Sequence, residues 1–178
     1  VMTNVGMVLP QTGYWQQAQA LCQQYGTLLI MDETHTISTG LGGYAVQHGL
    51  QADMLVLGKP LGGGMPCAVY GMSADIAKRA QQVKEQAPAG HSGIGTTLTA
   101  NALAFAAMRA NLEQVMAAAA YAHMLPLAEQ LAAGLQTLFA KHGVQWCVTQ
   151  VGARVEFQFS EQAPTNGTEA RAIMNHEL

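Results

Sequence analysis

The chain has 178 residues, of which 49% are hydrophobic and only 11% are charged, with a formal net charge of -3. This length suits one or two domains with a sizeable core, and the hydrophobic fraction argues against disorder. An acidic balance without any basic run argues against a nucleic-acid partner. The charged fraction is about half of the roughly 25% usual in soluble domains. We therefore expect an unusually apolar surface that something else covers.

The apolar runs, cysteines and histidines of the sequence give expectations about the compartment of the protein and about metal binding. No apolar run approaches the ~18 residues of a membrane span, so we expect no membrane association. Three cysteines, odd in number and far apart, predict neither a disulfide framework nor a metal pair, and they indicate a reducing, cytoplasmic location. The six histidines lack metal-ligand spacing, so no metal site is expected. The chain begins at Val1 without a secretory leader, and we expect it to be a piece of a longer protein.

In the first hundred residues the patterns predict alternating helices and strands. Apolar residues at helical spacing predict a helix over 14–25, ended by Gly26. Continuous apolar runs at 27–31, 54–57 and 67–70 predict short strands that are buried as in a parallel sheet, the first of them on both faces. Between the strands, residues 37–51 form a Gly-rich loop with a short helix over 45–48, and a polar helix covers 74–86.

The second part of the chain has a different pattern. From Asn101 the spacing is helical almost to Lys141, with a bend near Pro126. Apolar and polar residues then alternate over 144–148 and 155–159, which predicts a two-stranded element with one solvated face. We place a boundary near residue 118, with an α/β fold before it and an α+β fold after it.

Lys59 is the residue most suggestive of chemistry. Twelve of the 19 glycines lie between Gly40 and Gly95, and Lys59 stands in this window between a predicted strand and a glycine run. A lysine at a strand end either extends into solvent or, when desolvated, loses its proton and attacks a carbonyl. A phosphate-binding P-loop is excluded, because the required glycine and hydroxyl positions hold Asp53 and Pro60.

Asp32 follows the first predicted strand in the same way. Because the carboxyl ends of parallel strands lie along one edge of a sheet, Asp32 and Lys59 are expected to face one pocket. A carboxylate there could alone be a helix cap or a loop-stabilising residue. Paired with a lysine, it predicts a pyridoxal phosphate site, in which Lys59 holds the aldehyde as a Schiff base and Asp32 keeps the ring nitrogen protonated.

Several motifs, in order and spacing, resemble the class III pyridoxal-phosphate-dependent aminotransferases of fold type I. The motifs are Leu29–Glu33, Gly42-Gly43, Asp53 followed by Gly58–Pro66, and Gly95–Leu103. The similarity covers roughly residues 1–115 and is closest to the branch of glutamate-1-semialdehyde aminomutases and β-amino-acid aminotransferases. It implies part of a large cofactor-binding domain over 1–117, a mostly parallel sheet with helices on both faces. The start of a smaller α+β C-terminal domain would follow over 118–178.

The resemblance also implies roles for single residues and for partners. Lys59 would be the Schiff-base lysine and proton carrier, and Asp32 the partner of the pyridine nitrogen of pyridoxal 5'-phosphate. Thr97 would reach the phosphate of the neighbouring subunit's cofactor in a homodimer with shared active sites, which suits a hydroxyl donor. Asn4 would lie near the cofactor, and His91, ahead of the phosphate loop, is a further candidate for a site role.

The chain departs from the family pattern at several positions. Thr34 stands where the family usually has Val or Ile packing on the ring face, and His35 follows it. His35 either contacts the cofactor or substrate or is a hydrogen-bonded structural histidine. Thr96 and Ala102 replace the usual Gly and Pro of the phosphate loop. Arg154 is a local candidate for binding a substrate carboxylate, with a surface salt bridge as the alternative.

The expected function is pyridoxal-phosphate-dependent transamination of an α-, β- or ω-amino acid with an oxo-acid acceptor. An aminomutase or racemase that uses the same lysine is the alternative, and consumption of an oxo acid separates the two. A non-catalytic interaction module with the same fold is a third hypothesis.

Overall fold

The computed structural model describes residues 3–4, 6–91, 94–95 and 97–176. The helices and strands predicted in the first hundred residues are present, although the second and third strands have only a turn between them, and two short 3-10 turns follow the first two strands. The helices are α1 (Tyr14–Tyr25), α2 (Gly43–Gln47), α3 (Ala74–Glu85), α4 (Ala102–Gln114), α5 (Ala118–His142) and α6 (Gly167–His176). The strands are β1 (Ile30–Asp32), β2 (Met54–Leu57), β3 (Val69–Met72), β4 (Cys147–Val151) and β5 (Arg154–Gln158). The turns are Thr36–Ser38 and Lys59–Gly62.

The first three strands form one sheet in the order β1-β2-β3. β1 and β2 are parallel, with Asp32 opposite Val56, so their carboxyl ends lie at the same edge. β3 is antiparallel to β2 and covers Val69–Met72 instead of the predicted 67–70. The α/β fold class is confirmed, and this sheet contains one parallel and one antiparallel pairing.

Burial of the first strand differs from the prediction. Met31 is 6% exposed, whereas Ile30 is 56% exposed. β1 is an edge strand of this sheet, and its Ile30 face stays open to solvent over the described residues. The prediction of a strand buried on both faces is therefore wrong. The exposed apolar surface expected from the low charge continues on α4, where Leu103 and Phe105 are more than half exposed.

The long helical run is interrupted at 115–117 and not near Pro126. The carbonyl of Asn111 accepts hydrogen bonds from the backbone N–H groups of both Val115 and Met116, at 2.9 and 2.8 Å, and this turn ends α4. Ala117 is extended, with φ -100° and ψ 162°, before α5 begins. Pro126 lies inside the 25-residue α5, where its missing N–H removes one of many helical hydrogen bonds.

α5 packs against the predicted two-stranded element, which is the antiparallel β4–β5 hairpin. An aromatic cluster joins them: Phe139 of α5 meets Trp146 edge-on at 5.4 Å between ring centroids, and Trp146 stacks on Phe157 at 5.8 Å. Phe139 is 8% exposed, whereas Trp146 and Phe157 are 37% and 44% exposed, so this contact rests on ring-to-ring packing around one buried phenylalanine.

Two hydrogen bonds connect this part of the chain to the turn that follows β1. The Tyr121 hydroxyl donates to the Ile37 carbonyl at 3.2 Å, and the Ala153 N–H donates to the Thr39 carbonyl at 2.8 Å. Gly152 is required here, since an added Cβ would overlap the Thr39 carbonyl. The loop beside Asp32 is thus held from the side of α5 and the hairpin. The division into domains at 117/118 stays a prediction.

α6 was not predicted from the sequence. Asn166 caps it by accepting the Glu169 N–H at 2.9 Å, and Glu169 in turn accepts the Thr165 N–H at 2.8 Å. Ala170, fully buried, packs against Val8. The Asn-x-x-Glu spacing was the available signal. In the described part of the chain, no helix combines the length and apolar character that crossing a membrane requires.

Candidate active site

Asp32 and Lys59 lie at the same edge of the sheet and are connected through Thr34. The Thr34 N–H donates to Asp32 Oδ1 at 2.9 Å. Lys59 Nζ donates to Thr34 Oγ1, also at 2.9 Å. The parallel pairing of β1 and β2 explains this proximity. Asp32 is the last residue of β1, and Lys59 comes two residues after the end of β2.

The backbone at Lys59 is in the left-handed region. Its φ is 47°, a conformation that costs a non-glycine residue about 1 kcal/mol or more. Gly58 before it is buried, and a Cβ there would lie 3.4 Å from Thr34 Cγ2. The segments carrying Thr34 and Lys59 therefore pack closely.

Asn111 of α4 anchors the turn that begins at Lys59. Its side chain is 7% exposed, and Nδ2 donates to the carbonyls of Pro60 and Leu61 at 2.8 and 3.0 Å. Burial without these bonds would cost about 1–3 kcal/mol, so Asn111 fixes the turn and the lysine that starts it. Sequence reasoning missed this residue. An asparagine within the apolar helical pattern at 103–112 was the signal that could have found it.

Glu33 fixes the loop on the other side of Asp32. Its carboxylate is 2% exposed and accepts the N–H groups of Tyr44 and Ala45, at 2.7 and 2.8 Å, and the Thr36 hydroxyl at 3.1 Å. A Cβ at Gly43 would lie 2.5 Å from Glu33 Oε2, so only glycine fits beside it. Glu33 thereby caps α2 from a distance of 11 residues, a role that the sequence did not indicate.

Glu33→Gln is expected to destabilise the full-length protein by about 2–3 kcal/mol. The amide nitrogen of glutamine is a donor and would face one of the donors that the carboxylate now accepts. Thermal unfolding of both proteins measures the effect. Glu85→Gln is the matched control, because Glu85 is exposed at the end of α3 and accepts only a surface bond from Gln81. Equal melting temperatures for Glu33→Gln and wild type would contradict this role.

Asp32 is held as a carboxylate. Hydrogen bonds from the Thr34 backbone and hydroxyl lower the pKa of Asp32 below its ordinary 3.8, against a smaller opposing effect of burial, and the charges of Lys59 and His35 lower it further. Since the pKa is depressed, the favourable contribution of the anion is present above the ordinary pKa and is lost only as pH falls through the folded-state value. Asp32 is therefore an anion throughout the neutral range.

His35 is neutral near pH 7. Burial lowers the pKa of His35 most, and the positive charges of Lys59 and Arg154 lower it further, while Thr3 and Glu156 act in the opposite direction. His35 Nδ1 and Thr3 Oγ1 are 2.6 Å apart, so the histidine is hydrogen-bonded as the structural interpretation expects. Its contact with a cofactor or substrate stays a prediction.

Arg154 forms the salt bridge that was the alternative to a role in binding substrate. Its Nη2 lies 2.7 Å from Glu156 Oε1, and the two side chains are 23% and 27% exposed. The pair is thus partly buried, and it lies near enough to His35 for both charges to act on that residue's pKa.

The remaining predicted site residues lie apart from this cluster. Thr97 is exposed in the loop before α4, and Asn4 is exposed near the start of the chain. Among the described residues, no hydrogen bond joins either of them to Lys59 or Asp32. Their roles stay predictions. His91 is exposed, and Thr96 lies outside the described residues.

The cluster has the groups that a cofactor with an aldehyde and a basic ring nitrogen requires. The Lys59 amine is exposed near Asp32, which is an anion at neutral pH, and no salt bridge within 4 Å joins them over the described residues, which leaves the carboxylate available to another cation. No group of three or more possible metal ligands occurs in the part of the chain that the structure describes. An amine and a carboxylate at one sheet edge are groups that fit such a cofactor.

Comparison with known proteins gives a consistent match. The model of the family "Aminotransferase class-III" matches residues 1–176. A glutamate-1-semialdehyde 2,1-aminomutase of Anaeromyxobacter sp. (strain Fw109-5) is 36% identical over 173 residues, which are 97% of this chain and 39% of that protein. The chain thus spans about two fifths of the length of the curated relatives it matches.

Solved structures similar to this chain include aminomutases and aminotransferases. A glutamate-1-semialdehyde-aminomutase from Pseudomonas aeruginosa PAO1 superposes with a TM-score of 0.89 and 46% identity, covering 97% of this chain and 39% of that one. A lysine-to-alanine variant of that aminomutase, also with a TM-score of 0.89, was crystallised in complex with PMP. A β-phenylalanine aminotransferase from Variovorax paradoxus has a TM-score of 0.80 and 28% identity, covering 95% of this chain and 38% of that one.

Proposed function

Because this chain belongs to the class-III aminotransferase family, we propose that it is the lysine-bearing part of an enzyme that moves an amino group on pyridoxal 5'-phosphate. The observation that carries the proposal is the arrangement of Asp32, Thr34 and Lys59 at one sheet edge, joined by two hydrogen bonds of 2.9 Å. The predicted cofactor is that of the family, and the site has the side chains to hold it.

Each residue has a defined task in this proposal. Pyridoxal phosphate, when bound, withdraws electrons from the substrate carbon that bears the amino group. Asp32, an anion at neutral pH, holds the proton on the ring nitrogen. Lys59 Nζ is the group that attaches the aldehyde and that carries the proton to and from carbon. Asn111 and Glu33 hold the two loops in place.

Of the two activities, the relatives favour that of an aminomutase, an enzyme that returns the amino group to the same molecule. Proteins named glutamate-1-semialdehyde aminomutase are 36% and 46% identical to this chain, against 28% for the β-phenylalanine aminotransferase. We place transamination of an amino acid with an oxo-acid acceptor second, supported by the family and by that aminotransferase. The order is thus the reverse of the one expected from the sequence.

A homodimer with shared sites, located in the cytoplasm, also belongs to the proposal. Apolar residues are exposed on α4 and in the loop before it: Leu98 of the loop is 79% exposed and Leu103 of α4 is 62% exposed. Such a surface suits contact with a second subunit. Thr97 in that loop would then serve the cofactor of the partner subunit.

Borohydride reduction of the cofactor-loaded, full-length protein, followed by peptide mapping, tests the proposal. We expect a pyridoxyl group on Lys59 and none on Lys78, which is exposed on α3 and serves as an internal control. A protein that binds the cofactor without labelling Lys59 would exclude the proposed role.

The two activities are separated by their need for an acceptor. Glutamate-1-semialdehyde is supplied alone or with 2-oxoglutarate. Conversion to an isomeric amino acid without the oxo acid supports the aminomutase. Consumption of one oxo acid per amino group transferred supports transamination.

A further inference from the structure

We propose that Thr34 is a positioning residue that holds the Lys59 amine whenever this amine is not covalently engaged. The inference rests on the proposed function for its purpose, since a held amine serves a lysine that must repeatedly attach and release an aldehyde. The contact itself is a property of this chain.

Thr34 is itself fixed in place. Its N–H is bonded to Asp32 Oδ1 at the end of β1, and its methyl group faces the close approach to Gly58. Threonine is branched at Cβ, so few χ1 rotamers are open to it once the backbone and the methyl group are placed. The hydroxyl therefore has a defined position relative to both strand ends.

The Thr34 hydroxyl is the acceptor for the lysine amine. Lys59 Nζ donates to Thr34 Oγ1 at 2.9 Å. The Thr34 hydroxyl also contributes to the lowered pKa of Asp32. A hydroxyl has two lone pairs, so Thr34 Oγ1 accepts from Nζ without giving up its own proton.

Thr34, and not Asp32, is therefore the group in contact with the amine. The charge of Lys59 lowers the pKa of Asp32, but over the described residues no salt bridge within 4 Å joins the two side chains. This division of labour lets Asp32 serve the ring nitrogen while Thr34 orients the lysine. Thr34→Val removes the acceptor at nearly constant shape, and Thr34→Ser keeps the hydroxyl.

Two rates measured on the cofactor-free, full-length protein test the inference. The first is acetylation of Lys59 by acetic anhydride, relative to Lys78, followed by mass spectrometry. The second is the capture of added pyridoxal phosphate at Lys59, quenched with borohydride. An amine that has lost its hydrogen bond to Thr34 is more accessible to acetic anhydride. It is also less well oriented toward the aldehyde of bound pyridoxal phosphate.

For Thr34→Val we expect Lys59 acetylation to rise about threefold and capture of pyridoxal phosphate to slow about tenfold, the scale of one lost hydrogen bond. Thr34→Ser should keep both rates within about twofold of wild type. A general loosening of the site, or a changed basicity of the lysine, would shift both rates in the same direction.

The inference is overturned if the two rates change together, if neither changes in Thr34→Val, or if Thr34→Ser behaves like Thr34→Val. Its failure is distinct from that of the proposed function. Wild-type protein that never captures pyridoxal phosphate at Lys59 would refute the function and, with it, the purpose of the contact. Unchanged acetylation in Thr34→Val would refute the contact while the wild-type enzyme still captured the cofactor.

Discussion

Lys59→Ala is expected to lower turnover of the full-length enzyme by at least about 10³-fold. The substitution removes the only atom of this cluster, Nζ, that can both attach an aldehyde and move a proton. Neither Asp32, an anion, nor the neutral hydroxyl of Thr34 replaces it. The loss is measured as steady-state turnover of glutamate-1-semialdehyde, with 2-oxoglutarate added if the wild-type enzyme requires it.

Two controls accompany this prediction. Lys78→Ala removes an exposed lysine on α3 and should leave turnover unchanged. Thermal unfolding of Lys59→Ala should stay close to wild type, because the lysine side chain is exposed and makes one described hydrogen bond. Residual turnover above about a tenth of wild type would contradict the role of Lys59 as the proton carrier.

Asp32→Asn is expected to reduce turnover by about 10²–10³-fold while the cofactor still attaches to Lys59. The amide keeps an oxygen that can accept the Thr34 N–H, so the loop should retain its shape. What it loses is the negative charge, which Thr34 and Lys59 stabilise at neutral pH and which alone can hold a proton on a ring nitrogen. Stopped-flow turnover and borohydride mapping give the two readouts.

Asp75→Asn is the control for the loss of one negative charge in Asp32→Asn. Asp75 also has a cationic neighbour, Arg79 at 2.8 Å, but this pair is exposed on α3. The variant should behave as wild type in both readouts. If Asp32→Asn kept normal turnover, the assignment of Asp32 to the ring nitrogen would be wrong, whatever happened to attachment at Lys59.

The sequence was sufficient to predict that Asp32 and Lys59 lie at the same edge of the sheet. Two short apolar runs, each followed by a chemically active residue, indicate parallel strands, and parallel strands end at one edge. β1 and β2 pair in this way. The helix over Tyr14–Tyr25 also matched its prediction, because apolar spacing and a terminal glycine are local signals.

Residues that act at long range could not be predicted in this way. Asn111 bonds to carbonyls 50 and 51 residues away, and Glu33 caps a helix that begins ten residues later. Each side chain is polar and buried, and its partners are backbone groups that carry no sequence signature. Burial of β1 depends likewise on what packs against it, which the hydrophobicity of the strand does not specify.

The left-handed backbone at Lys59 has a consequence for how this sequence evolved to fold. Glycine adopts a φ of 47° without strain, and glycines surround this position on both sides, so local conformational preference favours a different residue at 59. Lysine here is a point of local frustration in an otherwise consistent stretch. Foldability and the proposed chemistry thus make opposing demands on this single residue.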